Sequence, residues 1–117
     1  MAVKRILTIG AASLFATVVV ATTAQAAYTA YTTLYGTSAG QISTIDCRAA
    51  VTASTADDSA RTIEVEGEKC SSVSVKIFYS NSVGYAGWSN TVTHASKAVK
   101  DLSGADQLQR SYHTASR

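Results

Sequence analysis

The chain has 117 residues, of which 15% are charged, with a formal net charge of +2, two cysteines and no proline. A chain of this length holds a single domain. A balance so near neutrality excludes the broad basic field on which generic nucleic-acid binding leans.

The chain opens with a short basic segment, Met1 to Arg5. Ile6 to Ala21 is then apolar apart from Thr8, Gly10, Ser13 and Thr17, and Ala24-Gln25-Ala26 is a small-x-small cleavage pattern. Together these parts form a secretory signal over 1–26, bacterial in style, and the mature chain 27–117 is expected to begin near Ala27 as a single secreted β domain. The apolar run sits near the lower limit for a membrane span, and the cleavage pattern follows it at once, so no membrane association is expected after processing. No cysteine stands at the cleavage point and the polar end from Tyr112 to Arg117 offers no apolar tail, which points to free, extracellular secretion. Lys4 and Arg5 leave with the leader, taking the formal +2 to zero.

The mature chain reads as strands. Tyr28 to Tyr35 is rich in Tyr and Thr, with Tyr28, Ala30 and Leu34 on one face and Tyr31 and Tyr35 on the other. Gly36 to Gly40 is a turn, and Gln41 to Ala53 a second strand, with Ile45, Cys47, Ala49 and Val51 in phase. Arg61 to Glu66 alternates with Ile63 and Val65 inward. Gly67-Glu-Lys then turns it into the strongest strand signal of the chain, which follows Cys70 and places Val73, Val75, Ile77 and Tyr79 on one face. Phe78 interrupts the opposite polar face. Cys70 is out of phase with Val73, so either the strand starts after the cysteine or a bulge near Ser71-Ser72 resets it. Trp88 to His94 alternates again. Residues 95–102 fit a short helix or an irregular strand, and strand or loop is preferred because so short a helix is weak alone. Gln107 to His113 is the last strand, with Leu108 and Tyr112 inward. The sum is an all-β fold, a small antiparallel β-sandwich or barrel of about six strands.

A domain this small is marginally stable, so Cys47 and Cys70 in an exported chain are expected to form one disulfide. No further ligands lie close to them, so the cysteines are not read as a metal site. Asp57, Asp58, Glu64, Glu66 and Glu68 cluster in the middle and lysines and arginines follow, which makes either solvated faces or a bipolar surface.

Catalytic motifs are missing: there is no Gly-rich phosphate loop followed by Lys, no His-Glu-x-x-His and no Gly-x-Ser-x-Gly. The two histidines, His94 and His113, with Lys97, form the one acid–base set worth naming, as in small secreted ribonucleases, but nothing in their spacing demands it. Zinc on the histidines with Asp101 or Asp106, and calcium at Asp57-Asp58, lack the required ligand patterns, so no metal and no cofactor are expected. Aromatic residues remain: Tyr79, Tyr85 and Trp88 bracket a glycine-bearing loop, Asn81 to Gly87. They either supply bulk to a core poor in large aliphatics or form a contact surface.

The run from Ser89-Asn90 through His94-Ala-Ser-Lys97 resembles lactococcin-type secreted bacteriocins, which place Ser, Asn, His and Lys close together near a late strand. The likeness is confined to that stretch. The Gly-Gly/Trp-rich opening of that group is missing, and Tyr28 to Tyr79 has no counterpart there. The expectation is therefore a non-catalytic secreted binding protein whose partner is a protein or a cell-envelope polysaccharide and not a nucleic acid. The alternatives are a bacteriocin-like toxin, then a minimal ribonuclease-like hydrolase using His94 and His113. Mass spectrometry of the secreted product should give a chain starting near Ala27 whose cysteines alkylate only after reduction; an intact leader would overturn the export reading.

Overall fold

The computed structural model describes residues 29–117. The expected leader, 1–26, lies outside them, as do Ala27 and Tyr28. Strand is the only regular structure among the described residues, in nine segments: β1 (Thr29–Tyr35), β2 (Ser38–Thr44), β3 (Cys47–Ser54), β4 (Ser59–Glu64), β5 (Ser72–Ser80), β6 (Ala86–Trp88), β7 (Val92–His94), β8 (Lys97–Asp101) and β9 (Gln107–Ser116). They form two antiparallel sheets. One runs β1-β9-β5-β6, with β7 also on β5, and the other runs β2-β3-β4-β8. The sheets pack face to face, with β5 against β4 and β8, and β9 against β3 and β4.

Several local expectations change. Gln41 to Ala53 is two strands, not one, because Ile45-Asp46 makes a tight turn. Asp46 adopts a left-handed φ of 59°, which aspartate tolerates, and Ile45 is left 54% exposed, out of the face it was assigned to. Trp88 to His94 likewise splits into β6 and β7, two short edge strands on the same side of β5. Residues 97–101 are strand, as preferred over a short helix.

The turn at Glu66-Gly67 exists, with Gly67 at φ 90°, a conformation glycine adopts without steric cost. It does not close a hairpin. β4 pairs β3 and β8, β5 pairs β9, and Val65 to Ser71 crosses from one sheet to the other.

The phase of β4 is also inverted. Ala60 and Thr62 face the core, whereas Arg61 is exposed and Ile63 lies half-buried on the outer side. In β9, Leu108 is buried as expected but Tyr112 is not inward. An extra residue, Gln109, sits between the pairs Tyr79↔Leu108 and Phe78↔Arg110. This bulge shifts the alternation by one, so Ser111, His113 and Ala115 point in and Arg110 and Tyr112 point out. The chain breaks register there and not near Ser71-Ser72. Cys70 simply precedes its strand.

The core comes from both inner faces. Its largest apolar members are Leu34, Ile42, Val51, Val73, Val75, Ile77 and Leu108. Much of the rest is alanine: Ala30, Ala49, Ala53, Ala60, Ala98 and Ala115. Such small residues bury little apolar area each, so the hydrophobic term per residue is low.

The crossover is fixed to the start of β3. Cys47 and Cys70 form a disulfide with Cα atoms 4.6 Å apart. Around it, Lys69 N donates to the Asp46 carbonyl at 2.8 Å, Val65 N donates to the Arg48 carbonyl at 2.8 Å, and Cys70 N donates to Glu64 Oε2 at 2.7 Å. Arg48 and Glu68 add an ion pair at 3.1 Å. The bond closes a loop spanning 23 positions, for which the chain-entropy model gives about 3 kcal/mol. Reduction, or the Cys47→Ala/Cys70→Ala variant, should lower unfolding free energy by about that amount in urea titration. An unchanged midpoint would show that the hydrogen bonds alone hold the crossover.

Candidate functional site

The two histidines stand in different environments. His113 has no exposed surface. Its Nδ1 lies 2.8 Å from Thr62 Oγ1 and its Nε2 lies 2.7 Å from Ser111 Oγ. The Thr62 hydroxyl donates its proton to the Ser74 carbonyl at 2.8 Å, so toward the ring it can only accept. His113 therefore carries its proton on Nδ1, and Ser111 donates to Nε2. The result is a directed polar chain, Ser111 to His113 to Thr62 to Ser74, that joins β9, β4 and β5 through the core. It also explains the inverted phase of β4: Thr62 is drawn inward by two satisfied hydrogen bonds, and Ile63 takes the outer position.

His94 is exposed, and its Nδ1 accepts from the backbone N–H groups of Ser96 and Lys97, both at 3.2 Å. It caps the turn into β8. Serving the proposed acid–base pair would require His113 to meet a substrate, and no part of its side chain reaches the surface.

Two of the carboxylates that the sequence offered as ligands, Asp58 and Asp106, hold backbone and loops. Asp58 Oδ1 accepts from Leu108 N at 2.9 Å, and its carbonyl accepts from Leu102 N. Asp106 Oδ1 accepts from Asn81 Nδ2 at 3.3 Å. Among the described residues, no group of three or more His, Cys, Asp or Glu could hold a metal ion. Among them, too, no helix is long and apolar enough to cross a membrane.

Exposed chemistry collects on the outer face of the five-stranded sheet. Directly opposed residues in an antiparallel pair share a face. One row across it is Tyr35, Arg110, Phe78 and Trp88, and the next is Thr33, Tyr112 and Lys76. Phe78 and Trp88 meet edge to face at 5.3 Å, and Tyr31 stacks on Tyr112 at 6.1 Å. The Arg110 guanidinium lies 4.3 Å from the Phe78 ring centre and 5.4 Å from that of Trp88. Lys76 Nζ lies 4.8 Å from Trp88 and 5.5 Å from Tyr112. Each contact of this kind is worth about 0.5–1 kcal/mol at an exposed site, enough to orient a cation without neutralising it.

Ion pairs among the described residues are Arg48–Glu68 and Arg117–Asp46, so no carboxylate neutralises Lys76 or Arg110. Beyond the aromatic rows the face carries hydroxyls. Ser74 bonds to Thr114, and Thr29 bonds to Ser116 at 3.1 Å.

The three aromatics singled out from the sequence do not form one patch. Trp88 is 38% exposed and belongs to the cationic face. Tyr79 packs on the core beside the bulge, and Tyr85 pairs with it at 5.7 Å. A side chain at Gly87, directly opposite Tyr79, would collide with the Tyr85 hydroxyl at 2.5 Å, so glycine there lets the tyrosine ring lie against the strand. The loop before β6 is held by Asn81, whose Oδ1 accepts from Val83 N and Tyr85 N.

Sequence reasoning missed Lys76, Phe78, Arg110, Tyr112, Tyr31 and Tyr35 as one surface. Phase was the available signal. Phe78 interrupting a polar face, and Tyr31 and Tyr35 set apart from Ala30 and Leu34, both mark the outer side. Strand order, which makes them neighbours, is not written locally. Compared with known proteins, the chain matches no protein family, no curated sequence and no solved structure.

Burial pushes the His113 pKa down from 6.5 to about 4, against a smaller opposing effect from a backbone hydrogen bond to Arg61. The folded state holds it neutral and the unfolded chain protonates it more readily, so its contribution is complete above pH 6.5 and falls away as pH drops through 4. A difference of that size corresponds to about 3 kcal/mol. Urea midpoints should therefore fall between these pH values, and His113→Gln should flatten that part of the profile. A wild-type profile as flat as the variant's would refute the assignment.

Proposed function

We propose that this chain is a small, secreted, non-catalytic binding protein that acts by contact at the cell envelope or on another secreted protein. The basic, apolar and small-x-small parts of the leader support export, and the disulfide suits an oxidising compartment. The observation that carries the reading is the outer face of the five-stranded sheet. There Trp88, Phe78, Tyr112 and Tyr31 lie together with Lys76 and Arg110, and neither cation has a carboxylate partner among the described residues. Aromatic side chains and arginine are the residue types that dominate contact energies. Bulky rings kept at the surface over an alanine-rich core run against the economy of a small domain unless the rings meet something.

The chemistry of the two histidines favours contact over catalysis. His113 is spent on the polar chain between the sheets, and His94 on its own turn.

Leader-free protein immobilised and exposed to cell walls and culture supernatant should retain a specific component. The double variant Trp88→Ala/Arg110→Ala should reduce that retention about tenfold or more, as for contact residues at the centre of an interface. Val83→Ser, at a loop tip 85% exposed, should leave it unchanged. Equal retention by all three proteins would remove this face from the reading.

A further inference from the structure

Resting on that contact reading, we propose that the outer face of the five-stranded sheet binds an acidic polysaccharide. Its acid groups sit at Lys76 and Arg110, and its sugar rings lie along Tyr31, Tyr35 and Tyr112. Charge supplies the first reason. Lys76 is opposed to Tyr112, and Arg110 to Phe78, two residue pairs along the same strands and on the same face. The two cations therefore stand as diagonal neighbours about the Trp88 ring. Aromatic rings hold them in place, and no acidic side chain among the described residues forms an ion pair with either. Two oriented cations without counter-charges on one face make a local anion site in a chain whose described residues balance in charge.

The surroundings select the kind of anion. Tyr31 and Tyr35 are 59% and 71% exposed, offering flat ring surface with a hydroxyl at its tip, which suits the apolar face and polar rim of a sugar. Ser74, Thr114, Thr29 and Ser116 continue the face as paired hydroxyls, a surface that both donates and accepts. An acidic protein would use the cations and the rings but has no need of the run of hydroxyls beyond them. A nucleic acid would want a longer run of positive charge to track its backbone, and the face carries a pair of cations followed by hydroxyls. A repeating, moderately charged chain of sugars fits both halves.

Trp88 is the only tryptophan, so its fluorescence reports on this face alone. Leader-free protein titrated with polygalacturonate should show a saturable change in that fluorescence, and uncharged dextran of similar length should not. Lys76→Gln and Arg110→Gln should each weaken polygalacturonate binding several-fold, and the double variant should abolish it, with far-UV circular dichroism unchanged. The wild-type response should weaken as salt rises, because the polymer's counterions are released on binding. Equal response to dextran, indifference to both substitutions, or tighter binding to oligothymidylate than to polygalacturonate would overturn the polysaccharide assignment. Failure here with Trp88-dependent retention of cell-wall or secreted protein intact would leave the contact reading standing. Loss of that retention would take both down.

Discussion

The fold depends on how the chain passes from one sheet to the other between β4 and β5. The strands β6, β7 and β9 are placed by that passage, because β5 is the centre of its sheet, with β9 on one side and β6 and β7 on the other. A crossover of irregular chain would ordinarily be a weak point. Here its backbone is fastened to the beginning of β3 by hydrogen bonds from Lys69 and Val65, the Cys70 amide is held by the Glu64 carboxylate at the end of β4, and the end of the crossover is fixed by the bond between Cys47 and Cys70. A constraint of this kind acts mostly by restricting the unfolded chain, so it counts for more where the apolar core contributes less.

The core contributes less because it is made of small residues. Alanine on facing strands fills little volume, and the interior adds a directed chain of polar groups from Ser111 to Ser74. Buried polar groups that are fully bonded cost little and fix one arrangement over others. His113 ties β9 to β4 and thereby sets which face of β4 is inner. The same choice leaves Ile63 on the outer side, and the bulkiest rings, on β1, β5, β6 and β9, also face out. Structure and surface are therefore two sides of one allocation: hydroxyl and imidazole hold the interior, and the rings are left for contact.

The sequence made the fold class legible through period-2 runs, and the cysteine pair through its number and setting. Individual strands with a strong apolar face, such as Val73, Val75 and Ile77, were placed correctly because burial and alternation agreed. Errors came where another force outranked hydrophobicity. Thr62 displaced Ile63 because a hydrogen-bond chain stabilised the inward threonine. Leu108 and Tyr112 were assigned to one face because a one-residue bulge leaves no mark in the alternation. The expected Gly67 hairpin failed because a turn signal fixes a change of direction and says nothing about which strand is joined next. The candidate surface suffered from the same gap. Trp88 was read as either core bulk or a contact residue, and its neighbours Lys76, Arg110 and Tyr112 come from strands that only the sheet order brings together.

Gln109 deserves a different description from that of an irregularity. A strand obeys a two-letter alphabet, inside and outside, and one inserted letter exchanges the meaning of everything after it. Upstream of Gln109 the message places leucine within; downstream it places arginine and tyrosine without. The character of this surface is consequently governed by spacing as much as by residue identity. Lengthening the link around Gly104 would pass unread, whereas drawing Gln109 into the ladder in place of the bulge would send the guanidinium toward the alanines and the imidazole toward the solvent.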